Sequence, residues 1–345
     1  MLRGRPLARS VSLRLRPTLT PASCFWRCHP GESRATPRSR MHVKILVTGG
    51  AGFLGSHLVE LLLQLGHSVT VVDNLSTGFA HYVPQPAQLI VHDIRDPLES
   101  IFHENRPEVV IHLAAQVSVP HSITDPAEDA SVNITGYINV LQTAARFGVC
   151  KVIMISSAAV YGTPQVLPLT EDSALAPQSP YGLSKMVGEH YTRLLCKQYG
   201  MAYTILRPAN IYGPRQQTEG DGAVVPTFLQ CFAVGRDPII HGDGDQTRDF
   251  IYVEDMARAI VASLKAGDNR TFNVGSGVSV SIRDLWHRLA DLVGWQREPL
   301  FGPERPGDIK HSVMDSTEAI RTLGWKPCVD LSHGLARTVE WWQSR

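Results

Sequence analysis

The sequence predicts an α/β fold, a doubly wound parallel sheet with a smaller C-terminal domain, and three observations carry that reading. Between residues 43 and 206, short apolar runs alternate with longer segments of helical period, as expected of strands covered on both faces by crossover helices. Three glycines, three residues apart, join the first run to the first helix. Beyond Arg207 the alternation gives way to irregular sequence richer in Gly and Pro, which suits a cap over the carboxyl edge of the sheet.

The first strand is expected at 43–47, and the helix after it carries Leu54, Leu58, Leu61, Leu62 and Leu65 on one stripe. A strand at 68–72 completes a βαβ unit. Further strands are expected at 89–91, 108–112, 151–155 and 203–206, with helices over 129–147 and 182–198. The C-terminal part is expected to hold helices at 224–234, 253–264, 281–293 and 331–342. The domain reading is therefore 41–206 for the sheet domain, to which the chain returns near 247–275, and 207–345 mainly for the smaller domain.

With 345 residues and 43% hydrophobic content, the chain can bury a large core, which excludes disordered and fibrous classes. Its longest apolar run, near 54–65, is interrupted by His57, Glu60 and Gln64, so no membrane span is expected. The net charge of +1 conceals an asymmetry: residues 1–40 hold nine Arg, no Lys and one acid, Glu32, leaving 24 basic against 31 acidic groups elsewhere. A core of net charge −7 has no global field for nucleic acid, and any bound phosphate must be held locally. The six cysteines (Cys24, Cys28, Cys150, Cys196, Cys231 and Cys328) show no paired metal spacing and read as free thiols in a reducing compartment, with no metal site.

Residues 1–40 read as a disordered leader with two possible origins. Arg-rich, acid-poor composition fits an organelle transit peptide, whereas prolines at 6, 17, 21, 30 and 37 would break the amphipathic helix such a peptide needs. Alternatively the segment is dispensable and Met41 is the start. The expected location is cytoplasmic in the second case and organellar in the first.

The glycine segment is Thr48-Gly-Gly-Ala-Gly-Phe-Leu-Gly55, with Gly49, Gly52 and Gly55 three apart. A tight strand-to-helix turn with bare backbone lets a pyrophosphate approach unpaired N–H groups at a helix N-terminus. Asp73 lies 24 residues after Gly49, at the tip of Val69-Thr-Val-Val-Asp73, where a carboxylate can accept bonds from ribose hydroxyls. The following Asn74-Leu-Ser-Thr-Gly78 offers no Arg or Lys for a 2′-phosphate, so NAD is expected rather than NADP. Together these features make the sheet domain Rossmann-type. Asp93 and Ile94, past the third strand, are placed to meet the adenine, although an ordinary loop cap would also explain Asp93.

Tyr181-Gly-Leu-Ser-Lys185 sets a phenol and an ammonium one helical turn apart on one face. The cation and a nearby oxidised nicotinamide would both favour phenolate, moving a tyrosine of ordinary pKa near 10 toward use as a base. Upstream, Ile155-Ser-Ser-Ala-Ala-Val-Tyr-Gly162 follows a buried strand, so that Ser157 can bond a reacting hydroxyl while Ser156 caps the loop.

On these motifs the chain resembles the extended short-chain dehydrogenase/reductase family, in its NAD-dependent epimerase/dehydratase branch, over essentially all of residues 43–343. The resemblance implies an isomerase that inverts carbon 4 of a UDP-hexose, with Ser157, Tyr181 and Lys185 as its catalytic triad. It places Phe53, Leu54, Asp73, Asn74, Leu75, Ser76, Thr77, Gly78, Asp93, Ile94, Leu113, Ala114, Ala115, Gln116 and Asn133 around NAD. For the UDP-sugar it implies Asn210, Arg248, Arg305 and Asp308; two separated arginines suit a diphosphate. Ser312, where the family tends to carry a bulky aromatic in enzymes confined to plain hexoses, implies room for an N-acetyl group. Related dehydratases place acids directly after the Ser157 position, where this chain has Ala158 and Ala159. A non-catalytic dinucleotide-binding scaffold would need only the glycine loop, and a net 4-ketoreductase would need cofactor exchange. The resemblance also implies a homodimer through the helices at 129–147 and 182–198, although packing on the sheet explains part of their apolar stripe.

Overall fold

The computed structural model describes residues 42–218, 223–304 and 309–345, all within a unit spanning Pro37–Arg345. The leader expected at 1–40, with Cys24 and Cys28, lies outside the described residues, as do Arg305 and Asp308.

In chain order the strands are β1 (Lys44–Thr48), β2 (Ser68–Asp73), β3 (Gln88–Val91), β4 (Val109–His112), β5 (Lys151–Ile155), β6 (Ala202–Pro208), β7 (Asn210–Tyr212), β8 (Ile239–His241), β9 (Thr247–Tyr252), β10 (Arg270–Val274), β11 (Ser279–Ser281) and β12 (Leu300–Gly302). Seven of them form one sheet in the order β10-β6-β5-β4-β1-β2-β3, with every pair parallel. The winding direction reverses between β1 and β4, which opens a crevice at their carboxyl ends where ligands of such sheets bind.

Period-two alternation sorts the strand residues onto two apolar faces. Ile45, Val47, Val71, Ile111 and Ile153 join one core, covered by the helices Phe53–Gln64 and Val253–Ser263. Leu46, Val72, Val110, Val152 and Met154 join the other, covered by Glu99–Asn105, Tyr137–Arg146 and Pro180–Tyr199. A third core around Phe228, Phe250, Leu285, Trp286 and Leu335 belongs to the C-terminal part, and Phe53 and Leu54 pack against it. The start of the first helix therefore touches both parts of the molecule. A second sheet, β11-β9-β7, and the pair β12-β8 complete the C-terminal part.

The long helix Pro180–Tyr199 shows how local chemistry sets boundaries. Ser179 accepts from Gly182 N at 3.1 Å, Pro180 occupies the first turn, and Gly200 ends the helix at φ 72°. The single helix expected over 129–147 is instead divided. An α segment, Pro126–Ala130, runs into a wider π turn, Ser131–Gly136, before α geometry resumes at Tyr137–Arg146. Apolar spacing does not distinguish the two kinds of turn. The wide one is fixed by tertiary bonds from Asn133 and by Gly136, where a Cβ would come within 3.0 Å of Ile94. Among the described residues, no helix is long and apolar enough to cross a membrane, Cys196, Cys231 and Cys328 are free thiols, and no cluster suits a metal ion.

Candidate active site

A cleft of about 750 Å³ opens at the carboxyl ends of the sheet, and the glycine loop lies in its wall. Gly49 adopts φ +72°, and a Cβ there would fall 2.6 Å from Ala114 N, so the turn is closed to other residues. At Gly52 a Cβ would meet only Gly49 O, at 3.4 Å. The protein itself leaves that point open, and the exposed backbone begins the helix Phe53–Gln64 with no side-chain cap. Its unpaired N–H groups and positive dipole end suit a phosphate.

Asp73 is buried at the end of β2 and accepts from Ala51 N and Leu75 N, each at 2.9 Å. Each carboxylate oxygen keeps a lone pair for a ribose hydroxyl. Gly52, Phe53, Leu54, Gly55, Asp73, Asn74, Ser76 and Thr77 line the cleft with Asp93, Ile94, Leu113, Ala114, Ala115 and Gln116. Leu75 and Gly78 do not line it. Leu75 sits at φ 58°, and Gly78 packs beside the glycine loop, where a Cβ would reach within 3.0 Å of Ala51.

Asn133 also lies off the cleft wall, and its role is one step removed. Its Oδ1 accepts from Gln116 N at 2.9 Å while its Nδ2 donates to Gln116 O at 2.9 Å and to Asp129 Oδ1 at 3.0 Å. It clamps the loop that lines the cleft. Residues next to the expected set also enter: Arg95 donates to Asp93 at 2.8 and 2.9 Å and to Glu128 at 3.0 Å. The Arg95 hydrogen bond pulls the Asp93 carboxyl well below the usual range, and this carboxylate serves as the anchor of an ion pair. Arg95 directly follows the Asp93-Ile94 pair and was within reach of sequence reasoning. Glu128, Gln216 and Gln217, which also line the cleft, lie in segments with no motif to flag them.

The chemical end shares this cleft: Ser157, Tyr181 and Lys185 all line it and all are buried. The helix brings the Lys185 ammonium to 5.8 Å from the centre of the Tyr181 ring. That ammonium donates to Ile155 O at 3.1 Å. Burial lowers its pKa to about 8, with the Asp129 carboxylate pulling in the opposite sense. Ser157 caps a short 3₁₀ turn, its Oγ accepting from Ala159 N at 3.1 Å, so its proton remains available to a ligand. Ser156 does not cap the loop as expected. Ser156 also lines the cleft, but its hydroxyl donates to the buried Glu189 at 2.7 Å.

The C-terminal candidates are distributed. Asn210 lines the cleft. Arg248 and Ser312 do not line it, but a lace of bonds ties them together. Arg248 Nη1 donates to Ile309 O at 2.5 Å, and Ser312 N donates to Thr247 O at 3.2 Å. The buried Asp249 accepts from Ser276 N and Oγ, Gly277 N and Met314 N, which holds the 309–314 segment against β9.

Known proteins share this fold. The NAD dependent epimerase/dehydratase family model matches residues 45–275. A UDP-glucose 4-epimerase of Mycolicibacterium smegmatis is 42% identical over 311 residues, 88% of this chain and 99% of that protein. The structure of a UDP-glucose 4-epimerase from Thermotoga maritima with UDP-glucose superposes at TM-score 0.85 with 42% identity, covering 87% of this chain and 98% of that one. A UDP-N-acetylglucosamine 4-epimerase from Methanobrevibacter ruminantium, in complex with UDP-N-acetylmuramic acid, gives 0.83 and 36%, over 88% and 99% of the two chains. The dTDP-glucose 4,6-dehydratase DesIV from Streptomyces venezuelae, with NAD and TYD bound, gives 0.82 and 30%, over 87% and 97%.

Proposed function

The chain belongs to the NAD-dependent epimerase/dehydratase family, and from that premise we propose that it inverts carbon 4 of a UDP-hexose through a 4-keto intermediate. The observation that carries the reading is that Ser157, Tyr181 and Lys185 line the same cleft as the glycine loop and Asp73. The open backbone at Gly52 and the spare lone pairs of Asp73 fit NAD, whose nicotinamide, when bound, supplies a hydride acceptor and donor. Tyr181, as phenolate, takes the proton of the carbon 4 hydroxyl and later returns it. Lys185 keeps a positive charge one helical turn away in a dry site, where it favours that phenolate more strongly than it would in water. Ser157 spends its oxygen on Ala159 N and offers its proton to the carbon 4 oxygen, holding it in line.

For the opposite face to be presented, the sugar must turn while its diphosphate stays fixed; Arg248 and Arg305 are the residues proposed for the diphosphate, with Asn210 as a further substrate contact and the Asp308 carboxylate reading nucleoside hydroxyls. A dehydratase would need an acid beside Ser157 to work on the neighbouring carbons, whereas this chain places Ala158 and Ala159 there. The UDP-N-acetylglucosamine epimerase among the similar structures and the small Ser312 support acceptance of N-acetylhexosamines as well. Leu183 and Leu194, exposed at 48% and 62% on the helix Pro180–Tyr199, support a homodimer through that helix.

The test is to incubate purified protein with UDP-glucose, UDP-galactose and their N-acetyl forms without added NAD, and to resolve the products by chromatography. Interconversion of the 4-epimers, lost in Tyr181→Phe, is expected. A 4-keto-6-deoxy product, or full turnover by Tyr181→Phe, would overturn the reading.

A further inference from the structure

Behind the catalytic face lies a carboxylate that the chemistry above does not use. Glu189 is fully buried on the helix that carries Tyr181, and Arg207, at the end of β6, is 3% exposed. Arg207 donates Nε to Glu189 Oε1 at 2.8 Å and Nη2 to Oε2 at 2.7 Å, a planar two-pronged pair. Arg193 adds a bond to Oε2 at 2.9 Å, and the Ser156 hydroxyl donates to Oε1 at 2.7 Å. Burial alone would raise the Glu189 pKa, but Arg207, then Ser156 and Arg193, outweigh it and hold the carboxyl below its ordinary value. Arg207 Nη1 donates further to Tyr161 Oη at 2.8 Å, and Tyr161 donates to Asn273 Oδ1 at 2.6 Å.

An ion pair this deep contributes little net stability compared with apolar groups of the same volume, while loss of one partner is costly. What it does supply is fixed geometry. Lys185 holds Ile155 O and Glu189, one turn later, holds Ser156 Oγ. Successive turns of the helix thus grip the two residues immediately before Ser157. We propose that Glu189 is a positioning residue, holding the Ser156 hydroxyl with Arg207 as counter-charge and so setting the separation between the Ser157 hydroxyl and the Tyr181 phenol. The inference rests on the 4-epimerase reading.

The experiment compares Ser156→Ala, Ser156→Thr and Ser156→Cys with the parent, with turnover of UDP-glucose expressed per bound NAD so that loss of folded protein does not count as loss of catalysis. A displacement on the order of 1 Å costs up to about a hundredfold in rate. Ser156→Ala is therefore expected to lower kcat at least about tenfold, with KM within about twofold and NAD content per protomer unchanged. A larger deuterium isotope effect from the carbon 4 hydrogen should accompany it, as hydride transfer becomes slower. Ser156→Thr keeps the hydroxyl and should recover most of kcat. If Ser156→Ala does not fold, Ser156→Cys, close in volume but a poor donor, carries the same expectation. A kcat per bound NAD within about twofold of the parent in the Ala or Cys variant, or a Thr variant as slow as Ala, would overturn the inference. If the parent fails to epimerise any UDP-sugar, the functional reading falls instead.

Discussion

Lys185 illustrates how a charge buried in the cleft wall costs the fold stability. Burial lowers its pKa to about 8, against about 10.4 for an unfolded lysine. Between those values the unfolded chain binds more protons, so stability rises with pH across the window, and the cost of burying the charge is fully present below about pH 8. Lys185→Met is expected to raise the stability of NAD-free protein at pH 7 by up to about 3 kcal/mol while removing turnover. Thermal unfolding at pH 7 to 10 should show that gain shrinking as pH rises; a gain that grows would contradict the assignment. At Ser312, backbone-bonded to β9, a tyrosine should suppress turnover of UDP-N-acetylglucosamine at least about tenfold and spare UDP-glucose. Equal losses on both sugars would remove Ser312 from the specificity argument.

The glycine loop and the helix after it act as one element, and their glycines divide the work. A Cβ at Gly55 would sit 2.2 Å from Gly49 O and 2.6 Å from Gly50 Cα, backbone atoms that cannot yield without moving the helix start. At Gly52 the added Cβ meets only Gly49 O at 3.4 Å and projects into the open cleft. Gly52→Ala should thus purify without NAD but melt near the Tm of the NAD-free parent, whereas Gly55→Ala should lose NAD and also fall below the NAD-free parent in stability, by about 2 kcal/mol or more for an overpacked site. Calorimetry with cofactor analysis separates the two; a Gly55→Ala protein with the Tm of the NAD-free parent would show that the loop relaxes freely. Elements of this kind are legible in sequence because their steric demands are local: three glycines, an acid at the next strand tip, and Ser179-Pro180 opening a helix. The π turn at Ser131–Gly136 was not legible, since only the bonds from Asn133 to a distant loop select it over an ordinary helical turn.

For the whole molecule, apolar side chains on the helix Pro180–Tyr199 face outward at Leu183 and Leu194. Leu194→Glu is expected to shift the protein from dimer to monomer in sedimentation at micromolar concentration; a dimer indifferent to this charge would place the interface elsewhere. The sequence by itself determined the first βαβ unit, the glycine loop with Asp73, and the placing of Tyr181 one helical turn from Lys185, because each is written in residues close together along the chain. Only the tertiary structure decided that the Ser156 hydroxyl is committed to the buried Glu189 while the Ser157 oxygen accepts from Ala159 N, that Arg95 reaches Glu128, and that Asp249 laces the 309–314 segment to β9. The bonds to Glu189, Glu128 and Met314 join residues tens of positions apart, and packing selects them only after the sheet has formed.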